Sequence, residues 1–566
     1  MAVLPRLITS SVVLTLLADK YASNPIGPYS TVVLLFAAQF LLYQAYSILI
    51  WPHYISPIRH LPLVPESHWF WGQTKRILKE PSGVPMREWV AKVPNQGILR
   101  YSVWFQQRIL LTTPAALGEV LVTKNYDFVK PWHFRAGLGR ILGIGVLLAE
   151  GEEHKVQRKN LSPAFAFRHI KDIVPLFWSK SQELVGCLAN ASSRAVSSDH
   201  VSDLENTNLD SAHAPGAIDV GNWTSRATLD IIGLSGMGQD FNALQDPDNR
   251  LNRVYKIVFN PGKAGRALQI LGIFLPSWLV QSLPIKRNKE LNAASSYIKQ
   301  VCRDLIAKKR STLAEKSTKD LDIISAALES GGFTDEELVN QMMTFLVAGH
   351  ETTATAMIWA LYELCKHKDK QQRLRDEVRA KIPSLGSQVT AADIDECHYL
   401  HAVCSETLRL WAPVALTMRV SDRDTTIQGE HIPKGTTVIL APSAINTSPH
   451  LWGDDAGEFK PERWLNADGK ANQRGGADSN FSFLTFLHGP RSCIGQRFSQ
   501  YELACLLAAW IGRYDTSFEE GSPLSKGLLD IKVSRIRHFI VHHRIRSNAA
   551  VGRSNLQTQG RSLDDT

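Results

Sequence analysis

A segment with a single cysteine between two glycines constrains this chain more than any other part of its sequence. It reads FLHGPRSCIGQRF and covers residues 486–498. Gly489 and Gly495 allow the backbone to approach a flat cofactor closely, and Arg491 supplies a fixed cation for a carboxylate. The apolar run that follows predicts a buried helix, whose dipole and free N–H groups stabilise a thiolate at Cys493. These neighbours suit a metal-bound thiolate, but for a lone cysteine an ordinary packing role is the default interpretation.

A second segment, AGHETT at residues 348–353, lies within a long predicted helix. A capping-box pattern at Thr334 marks the start of that helix, and the apolar run behind it reaches Leu361. Gly349 and Thr352 share one face of the helix, where the glycine leaves room above a cofactor and the hydroxyl can hydrogen-bond to a bound dioxygen. If the segment stood alone, simple packing between helices would explain it better.

An acid and a base, Glu406 and Arg409, are spaced to meet on one predicted helix. Such a pair is usually a surface pair and contributes little to stability. Its position adds information, because the segment FKPERW at residues 459–464 follows it and the cysteine segment comes after that.

These motifs resemble those of the cytochrome P-450 family and stand in the family's order. FxxGxRxCxG resembles its haem-binding signature, AGHETT its distal-helix motif, and Glu406–Arg409 with residues 459–464 its ExxR and PERF-type elements. The resemblance covers most of residues 52–545. It implies the cytochrome P-450 fold, mainly α with a small β region, in which a thiolate ligand favours cleavage of the O–O bond.

The resemblance also implies roles for single residues. Cys493 is the axial ligand of the iron of haem b (iron protoporphyrin IX), while the catalytic residues Thr352 and Glu351 relay protons. The cofactor-binding residues that it implies are Cys493, Arg491, Phe486, Gly489, Gly495, Arg158, His154, Arg419 and Gly349. The structural triad that it implies is Glu406, Arg409 and Arg463.

The sequence departs from the family pattern at His154, where members usually carry tryptophan four residues before an arginine, here Arg158. Either the imidazole donates to a haem propionate in place of the indole, or His154 is a solvent-exposed residue beside Glu152 and Glu153. We favour the first interpretation because it keeps a donor where the family has one. A propionate partner would raise the pKa of His154, so haem retention should weaken as the pH rises through that value.

The segment Thr31–Trp51 is uncharged and, as a helix, would span roughly 30 Å, which matches a bilayer. The shorter apolar stretch Leu7–Ala18 fits a signal-peptide core or an interfacial helix better than a second span. Basic residues after the long segment favour the cytosolic side. We therefore expect a single-pass anchor in the endoplasmic reticulum membrane, with the catalytic domain facing the cytosol.

We divide the rest of the chain by composition and pattern. Strands are expected within residues 97–111 and 437–440, and surface loops at residues 190–217 and 466–480. The expected domains are an N-terminal segment of uncertain fate (1–30), a transmembrane anchor (31–51), a proline-containing connector (52–84), a haem-thiolate catalytic domain (85–546) and a disordered tail (547–566).

Charge and cysteine content bound the choice of partners. The net charge is +9, but the basic residues are spread along the chain without a nucleic-acid recognition motif, which favours lipid or a protein docking face over nucleic acid. The seven cysteines are scattered and form no CxxC pair, which favours a reducing compartment over a disulfide framework or a structural zinc site. No nucleotide-binding fingerprint is found. Electrons must therefore arrive from another protein, and the resemblance implies an NADPH-dependent cytochrome P-450 reductase, which would meet Lys155, Lys159 and Arg497.

The resemblance thus predicts a haem-dependent monooxygenase that inserts one atom of dioxygen into a small-molecule substrate, by hydroxylation or epoxidation. The general style of the sequence resembles filamentous-fungal members that serve secondary metabolism. Two other functions stay open, namely a peroxide isomerase or dehydratase of the same fold that needs no reductase, and a haem carrier or sensor without turnover. The intact pair Glu351 and Thr352 argues against the first of them.

Overall fold

Within the described residues, the strands form three sheets. The computed structural model describes residues 3–21, 27–104, 106–197, 218–259, 262–274, 277–315, 322–382, 388–518 and 532–538. The strands are β1 (Ile98–Val103), β2 (Gln106–Leu111), β3 (Phe128–Val129), β4 (Ile218–Asp219), β5 (Thr417–Ser421), β6 (Thr425–Ile427), β7 (Glu430–Ile432), β8 (Thr437–Leu440), β9 (Tyr514–Phe518) and β10 (Lys532–His538). The largest sheet has the order β1-β2-β8-β5-β3, the second β4-β10-β9, and β6 pairs with β7. The β1–β2 hairpin and β8 confirm the two strand regions predicted from the sequence.

Most of the described chain is helical, which confirms the predicted fold class. The α-helices are α1 (Val3–Tyr21), α2 (Pro28–Ala45), α3 (Thr74–Lys79), α4 (Val84–Lys92), α5 (Pro114–Gly118), α6 (Trp132–Leu142), α7 (Gly151–Leu161), α8 (Phe167–Ser197), α9 (Val220–Met237), α10 (Arg250–Phe259), α11 (Gly262–Phe274), α12 (Ser277–Ser282), α13 (Lys286–Glu315), α14 (Ile323–Glu329), α15 (Asp335–Lys366), α16 (Lys368–Lys381), α17 (Ala391–Asp395), α18 (His398–Leu410), α19 (Pro442–Ile445), α20 (Pro449–Trp452) and α21 (Gln496–Arg513).

Helix α15 is the long helix predicted behind the capping box. The Glu337 N–H donates to Thr334 Oγ1 at 3.3 Å, and the Thr334 N–H donates to the Glu337 carboxylate at 2.7 Å, so both halves of the box are formed. The helix packs against α9, α13, α18 and α21. The AGHETT segment is therefore held in a fixed place within the core.

Helix α21 follows the cysteine segment and is apolar on all sides. Every residue from Leu503 to Ile511 is at most 1% exposed, as expected of a helix without a polar face. Each fully buried leucine of this run stabilises the fold by about 1.5–3 kcal/mol. The predicted buried helix is confirmed, and its packing against α15 fixes the loop that precedes it.

The two polar segments predicted as loops differ in structure. Residues 190–197 continue α8, so the loop predicted at 190–217 is wrong for that part, because the helix extends beyond the last residues of its buried face. Residues 198–217 lie outside the described residues. Residues 466–480 are irregular apart from a bridge between Leu465 and Ala471, which confirms the predicted loop. The tail at 547–566 lies outside the described residues.

The N-terminal helices form a hairpin. Helix α1 contains Leu7–Ala18 and packs along α2, where Ser10 Oγ donates to Gln39 Oε1 at 2.6 Å. The segment Pro28–Pro52 contains an 18-residue window of mean hydropathy 1.8 in which no residue is buried, and among the described helices it is the one long and apolar enough to cross a membrane. Its last part widens into a π-helix, Tyr46–Ile55, that contains Pro52. Proline has no N–H for the regular helical hydrogen bond, which explains the change in winding.

The connector after this helix packs on the large sheet. Gln107 of β2 donates to the Pro52 carbonyl at 3.1 Å and accepts from Ser56 Oγ at 2.7 Å. Leu63 forms a parallel bridge with Arg100 of β1. The residues from Pro52 onward are therefore attached to the catalytic part by their own contacts, and neither α1 nor α2 takes part in them.

A chain that begins at Pro52 should lose integral membrane insertion and still fold, because it lacks the apolar span but keeps the contacts with Gln107. Alkaline carbonate extraction of membranes distinguishes insertion from peripheral adsorption of an apolar patch. A chain that begins at Gly27 is the matched control, since it lacks only α1 and should resist extraction. If the chain from Pro52 resisted extraction as fully as the whole protein, the segment Pro28–Pro52 would not be the main anchor.

Candidate active site

Cys493 lies in a tight loop immediately before α21. The Cys493 N–H donates to the Phe486 carbonyl at 2.9 Å, and the Ser492 N–H donates to the Gly489 carbonyl at 3.0 Å. The side chain of Cys493 is exposed although the residue lies deep in the protein, so its sulfur opens onto an internal space. Phe486 supports the loop through this backbone hydrogen bond. The centroid of its ring lies 6.2 Å from that of Phe483.

The electrostatics at Cys493 suit a metal-bound thiolate. Burial raises the pKa of the Cys493 thiol, and although the Gly495 N–H and the Arg158 cation lower it, the pKa stays above its ordinary value. The thiol therefore needs one more positive charge beside its sulfur to ionise near neutral pH. A metal ion bound to the sulfur supplies that charge and deprotonates the thiol outright.

The three glycines assigned to the cofactor from the sequence have different surroundings. A Cβ on Gly489, whose φ is +77°, would lie 2.1 Å from the Leu121 carbonyl oxygen, so contact within the protein already requires this glycine. A Cβ on Gly349 would lie 2.8 Å from Ile232 of α9, so helix packing, the alternative that the sequence left open, already requires this glycine, and its place beside the cofactor stays a prediction. A Cβ on Gly495 would contact only a phenylalanine ring at 3.8 Å, and the protein leaves room there.

Three buried basic side chains converge on one carboxylate, Glu150, beside the cysteine loop. Arg491 forms an ion pair with it and donates to the Phe128 carbonyl at 2.8 Å. Lys130 Nζ lies 3.4 Å from Glu150 Oε1, and burial, aided by the Arg419 charge, lowers the pKa of Lys130 to about 8. Burial and the Arg491 charge likewise lower the pKa of Arg419, on β5, to about 10.

This arrangement fits the carboxylates of a haem. Buried cations that outnumber their carboxylate partners are unfavourable until more negative charge is supplied. The Nε of Arg491 has no hydrogen-bond partner among the described residues. The two propionates of haem b would pair with these cations, and Arg158 would join them, since its Nη1 already donates to the Ser492 carbonyl at 2.6 Å in the cysteine loop. The donor set therefore fits the cofactor that the sequence motif implies.

Lys130 and Glu150 belong to this cluster, and the sequence analysis missed both. Neither is part of a recognisable motif, and their contact joins positions twenty residues apart. The available signal is weak: each is a charged residue at the end of a short apolar stretch, directly before Pro131 and Gly151 respectively.

His154 is buried in α7, so its interpretation as a solvent-exposed residue is wrong. Its side chain is 3% exposed, and its Nδ1 lies 3.2 Å from the Tyr126 hydroxyl. Burial lowers the pKa of His154 to about 4, and the charges of Lys130, Arg491 and Arg158 act in the same direction. The raised pKa predicted from the sequence is that of a His154 in contact with a propionate, and it stays a prediction, while within the protein alone burial and these cations lower the pKa. With Tyr126 donating to Nδ1, a neutral imidazole carries its proton on Nε2 and remains a donor.

On α15, the acid and the alcohol of the AGHETT segment are adjacent. Thr352 Oγ1 donates to the Ala348 carbonyl at 2.8 Å, which leaves its lone pairs able to accept a hydrogen bond. The Glu351 side chain is 33% exposed and lies 3.1 Å from His350 Nε2. Thr352 can therefore accept a hydrogen bond, and the carboxylate of Glu351 is accessible to water.

Glu406, Arg409 and Arg463 are in direct contact and almost fully buried. Arg409 forms a bidentate pair with Glu406 at 2.7 and 2.8 Å, and Arg463 Nε donates to Glu406 at 3.1 Å. The Trp464 indole and the Lys460 N–H also donate to the same carboxylate, each at 2.9 Å. Glu406 and Arg409 are each 0% exposed, so they are not the solvated pair that their spacing alone suggested.

The network extends to the cysteine loop through one asparagine. Arg409 donates to the Asn446 carbonyl at 2.8 Å, and the Asn446 amide donates to Thr485 Oγ1 at 2.7 Å. Asn446 Oδ1 accepts from the Leu484 N–H at 2.7 Å, and Thr485 Oγ1 donates to the Leu408 carbonyl at 2.7 Å. The residues directly before Phe486 are therefore hydrogen-bonded to α18, both directly and through Asn446.

Replacing Arg409 by leucine should destabilise the protein by roughly 3–5 kcal/mol, because it removes a partner from the buried charge of Glu406. Arg373→Leu is the matched control, since its ion pair with Glu462 lies at the surface and should contribute about 0–1 kcal/mol. Denaturant unfolding and the yield of haem-loaded protein measure both variants. A near-normal yield for Arg409→Leu would contradict a structural role.

His154→Ala should release haem faster than the wild type, by a ratio that stays constant from about pH 6 to about pH 8, because the imidazole is neutral throughout that range. His154→Trp should retain haem. Between about pH 4 and about pH 6.5, His154 is neutral in the folded chain but protonated in the unfolded chain. The contribution of His154 to the free energy of unfolding is therefore present above about pH 6.5 and is lost as the pH falls towards about 4. Transfer of haem to an apoglobin scavenger measures the release. A ratio that shrinks as the pH rises would instead indicate an imidazolium.

Comparisons with known proteins identify the family. The family model for cytochrome P-450 matches residues 62–533. The chain is 46% identical to the cytochrome P-450 monooxygenase sphH of Aspergillus fumigatus, over 85% of this chain and 86% of the relative. It is 40% identical to the monooxygenase ALT8 of Alternaria alternata (87% and 90% covered) and 39% identical to FUM15 of Gibberella moniliformis (87% and 88% covered). The chain therefore belongs to the cytochrome P-450 family and is a haem-dependent monooxygenase.

Proposed function

We propose that this enzyme inserts one oxygen atom from dioxygen into a C–H bond or an alkene of a small organic substrate, with electrons from a separate NADPH-dependent reductase. The observation that carries the proposal is the deep-lying thiol of Cys493 beside a cluster of cations whose carboxylate partner among the described residues is Glu150. Bound haem supplies the activation of dioxygen.

The residues around the cofactor would have distinct tasks. Cys493 would ligate the iron, and the Gly495 N–H directed at its sulfur would moderate the negative charge there. Arg491, Arg158 and Lys130 would hold the propionates, assisted by the neutral donor His154 and by Arg419. These groups orient the cofactor and perform no chemistry themselves.

Glu351 and Thr352 would deliver protons to the reacting oxygen atoms. Thr352 is suited to accept a hydrogen bond from Glu351 and pass a proton on, since its own hydroxyl already has an acceptor in the Ala348 carbonyl. Glu351 is partly exposed and can be reprotonated from water. Delivery of protons at this point is what separates oxygen insertion from release of peroxide.

The reductase would dock on the exposed basic residues near the cysteine loop. Lys155 and Lys159 lie on the outer face of α7, and Arg497 is exposed in the first turn of α21, with its guanidinium 4.4 Å from the Phe167 ring. Positive charge at this face complements an acidic partner and accelerates encounter. The apolar segment Pro28–Pro52 would hold the enzyme in the endoplasmic reticulum membrane, facing the cytosol. The similarity of the whole chain to fungal monooxygenases supports a role in secondary metabolism.

Cys493→Ala should abolish the red-shifted Soret band that a thiolate-ligated haem shows when reduced under carbon monoxide, because no other described cysteine is exposed. Cys505→Ala, a buried cysteine in α21, is the control and should keep the band. A band that survives in Cys493→Ala would make the ligand assignment wrong.

Thr352→Ala should leave haem content intact while NADPH consumption yields peroxide instead of product, by about a hundredfold or more in the ratio of the two. The assay combines membranes, reductase, NADPH and a fungal metabolite extract, and follows incorporation of labelled dioxygen into products. Turnover without NADPH would favour a peroxide isomerase, and no turnover at all would favour a haem carrier. Unchanged coupling in Thr352→Ala would remove this residue from the mechanism.

A further inference from the structure

The polarity of the N-terminal hairpin is the reverse of that of a helix pair in water. On α1, Ser11 is 0% exposed and Thr15 is 2% exposed, one turn apart on the same face. The outer faces of both helices are mainly apolar, where Leu16 is 64% exposed, Leu41 67% and Leu42 70%. A soluble helix pair buries its apolar side chains and presents polar ones to water. Lipid is the surrounding that this hairpin fits.

Three hydroxyl side chains of α1 have their acceptors inside the hairpin. Ser10 Oγ donates to Gln39 Oε1 of α2 at 2.6 Å, and Ser11 Oγ donates to the Leu7 carbonyl at 2.7 Å. Thr15 Oγ1 donates to the Ser11 carbonyl at 2.8 Å. A polar group without an internal partner is costly in hydrocarbon, and polar contacts between helices hold membrane-embedded helices together. Paired with α2, α1 can therefore enter a bilayer although it is too polar to cross one alone.

Aromatic side chains lie at both ends of the hairpin. Tyr21 and Tyr29 lie where α1 ends and α2 begins, and Tyr43, Tyr46 and Trp51 lie at the other end. All of them are exposed. Tyrosine and tryptophan favour the membrane–water interface, and the helical distance from Tyr29 to Tyr46 is roughly 25 Å, close to the hydrocarbon thickness of the endoplasmic reticulum membrane at about 27 Å. The hairpin therefore has the length and the aromatic boundaries of a membrane-embedded unit.

The charged residues of α1 lie towards its two ends. Asp19–Lys20 lies next to the start of α2, and Arg6 lies one turn before Ser10. Because the helices are antiparallel and Ser10 contacts Gln39, Arg6 lies near the level of Tyr43, from where its long side chain can reach the interface. Arg6 is then on the same side as the basic residues of the connector. Positive charge on one side of a span is typical of the cytosolic side.

We propose that α1 enters the bilayer together with α2 as a hairpin held by Gln39, so that the N-terminus and the catalytic part lie on the same side of the membrane. This inference rests on the membrane anchor of the proposed function. It replaces the single-pass arrangement expected from the sequence, in which the N-terminus lies in the lumen and the catalytic part in the cytosol.

Two other arrangements place α1 outside the bilayer core. An interfacial helix on the luminal leaflet leaves the N-terminus in the lumen, and a signal peptide is removed by cleavage. In either case the Gln39 side chain would face hydrocarbon without Ser10, its partner in the hairpin. The side on which the N-terminus lies, and its retention, therefore distinguish these arrangements from the hairpin.

N-glycosylation tests the side of the N-terminus directly, because it occurs in the lumen of the endoplasmic reticulum. One acceptor sequence, on a flexible linker that carries an epitope, is added before Met1 of the full chain, and a second acceptor is added after Thr566. In microsomes from eukaryotic cells, both acceptors should remain unmodified and the epitope should be retained. Gel mobility before and after enzymatic deglycosylation measures the modification.

The chain that begins at Gly27, with the same linker and acceptor, is the matched control. It lacks α1, so its N-terminal acceptor should reach the lumen and become glycosylated. Glycosylation of either acceptor on the full chain, or loss of the epitope by cleavage, would overturn the proposal. An unmodified N-terminal acceptor on the chain from Gly27 would also overturn it, since α1 would then not determine the side of the N-terminus.

The role of Gln39 is tested in the tagged full chain. Gln39→Leu removes the acceptor of Ser10, so α1 should leave the bilayer more often and the fraction glycosylated at the N-terminal acceptor should rise about threefold or more. Gln44→Leu is the matched control, because it makes the same change further along α2, away from Ser10. Equal glycosylated fractions in the two variants would overturn Gln39 as the contact that holds α1.

Alkaline carbonate extraction of the same membranes separates failure of this inference from failure of the anchor. If the full chain is extracted, the proposed anchor fails and the hairpin fails with it. If the full chain resists extraction while its N-terminal acceptor is glycosylated, the anchor stands and the hairpin alone is wrong. Turnover with NADPH is measured independently of both results.

Discussion

The buried guanidinium of Arg409 is the group on which the rest of the site depends. Each of its five N–H groups has an acceptor, namely both oxygens of Glu406 and the carbonyls of Asn446, Ala456 and Glu458. Those acceptors come from α18 and from two later segments of chain that have little regular structure of their own. Because the ion pair is fully desolvated, any shift of one segment leaves a charge or a carbonyl unpaired, and the geometry is strongly specified. The position of the cysteine loop follows from it through Asn446 and Thr485.

The second constraint is an imbalance of charge beside that loop. Lys130, Arg419 and Arg491 are buried around one carboxylate, and burial together with mutual repulsion lowers the pKa of Lys130 and of Arg419. A dianionic cofactor relieves this repulsion, so binding of haem and stability of the fold are coupled. Burial, aided by the charges of Lys130, Arg491 and Arg158, lowers the pKa of His154 to about 4, which favours a role for it as an uncharged hydrogen-bond donor.

The sequence was sufficient for elements whose signals are local. The capping box at Thr334, the hairpin within residues 97–111 and the apolar helix after Cys493 each follow from periodicity or capping chemistry, and all three are confirmed. Contacts across the chain were not predictable in this way. The requirement for glycine at 349 comes from Ile232, and the charge of His154 depends on Lys130, so neither could be inferred from the neighbours along the chain. The end of α8 was missed because polar composition alone does not stop a helix.

The packing of α9 against α15 combines a local sequence motif with a contact between distant parts of the chain. A side chain at 349 would meet Ile232, so the close approach of the two helices is set at the turn that carries Glu351 and Thr352. On the opposite side, α21 fixes the loop of Cys493 against α15. The distance between the thiol and the acid–alcohol pair is therefore determined by two rigid helix contacts and not by flexible loops.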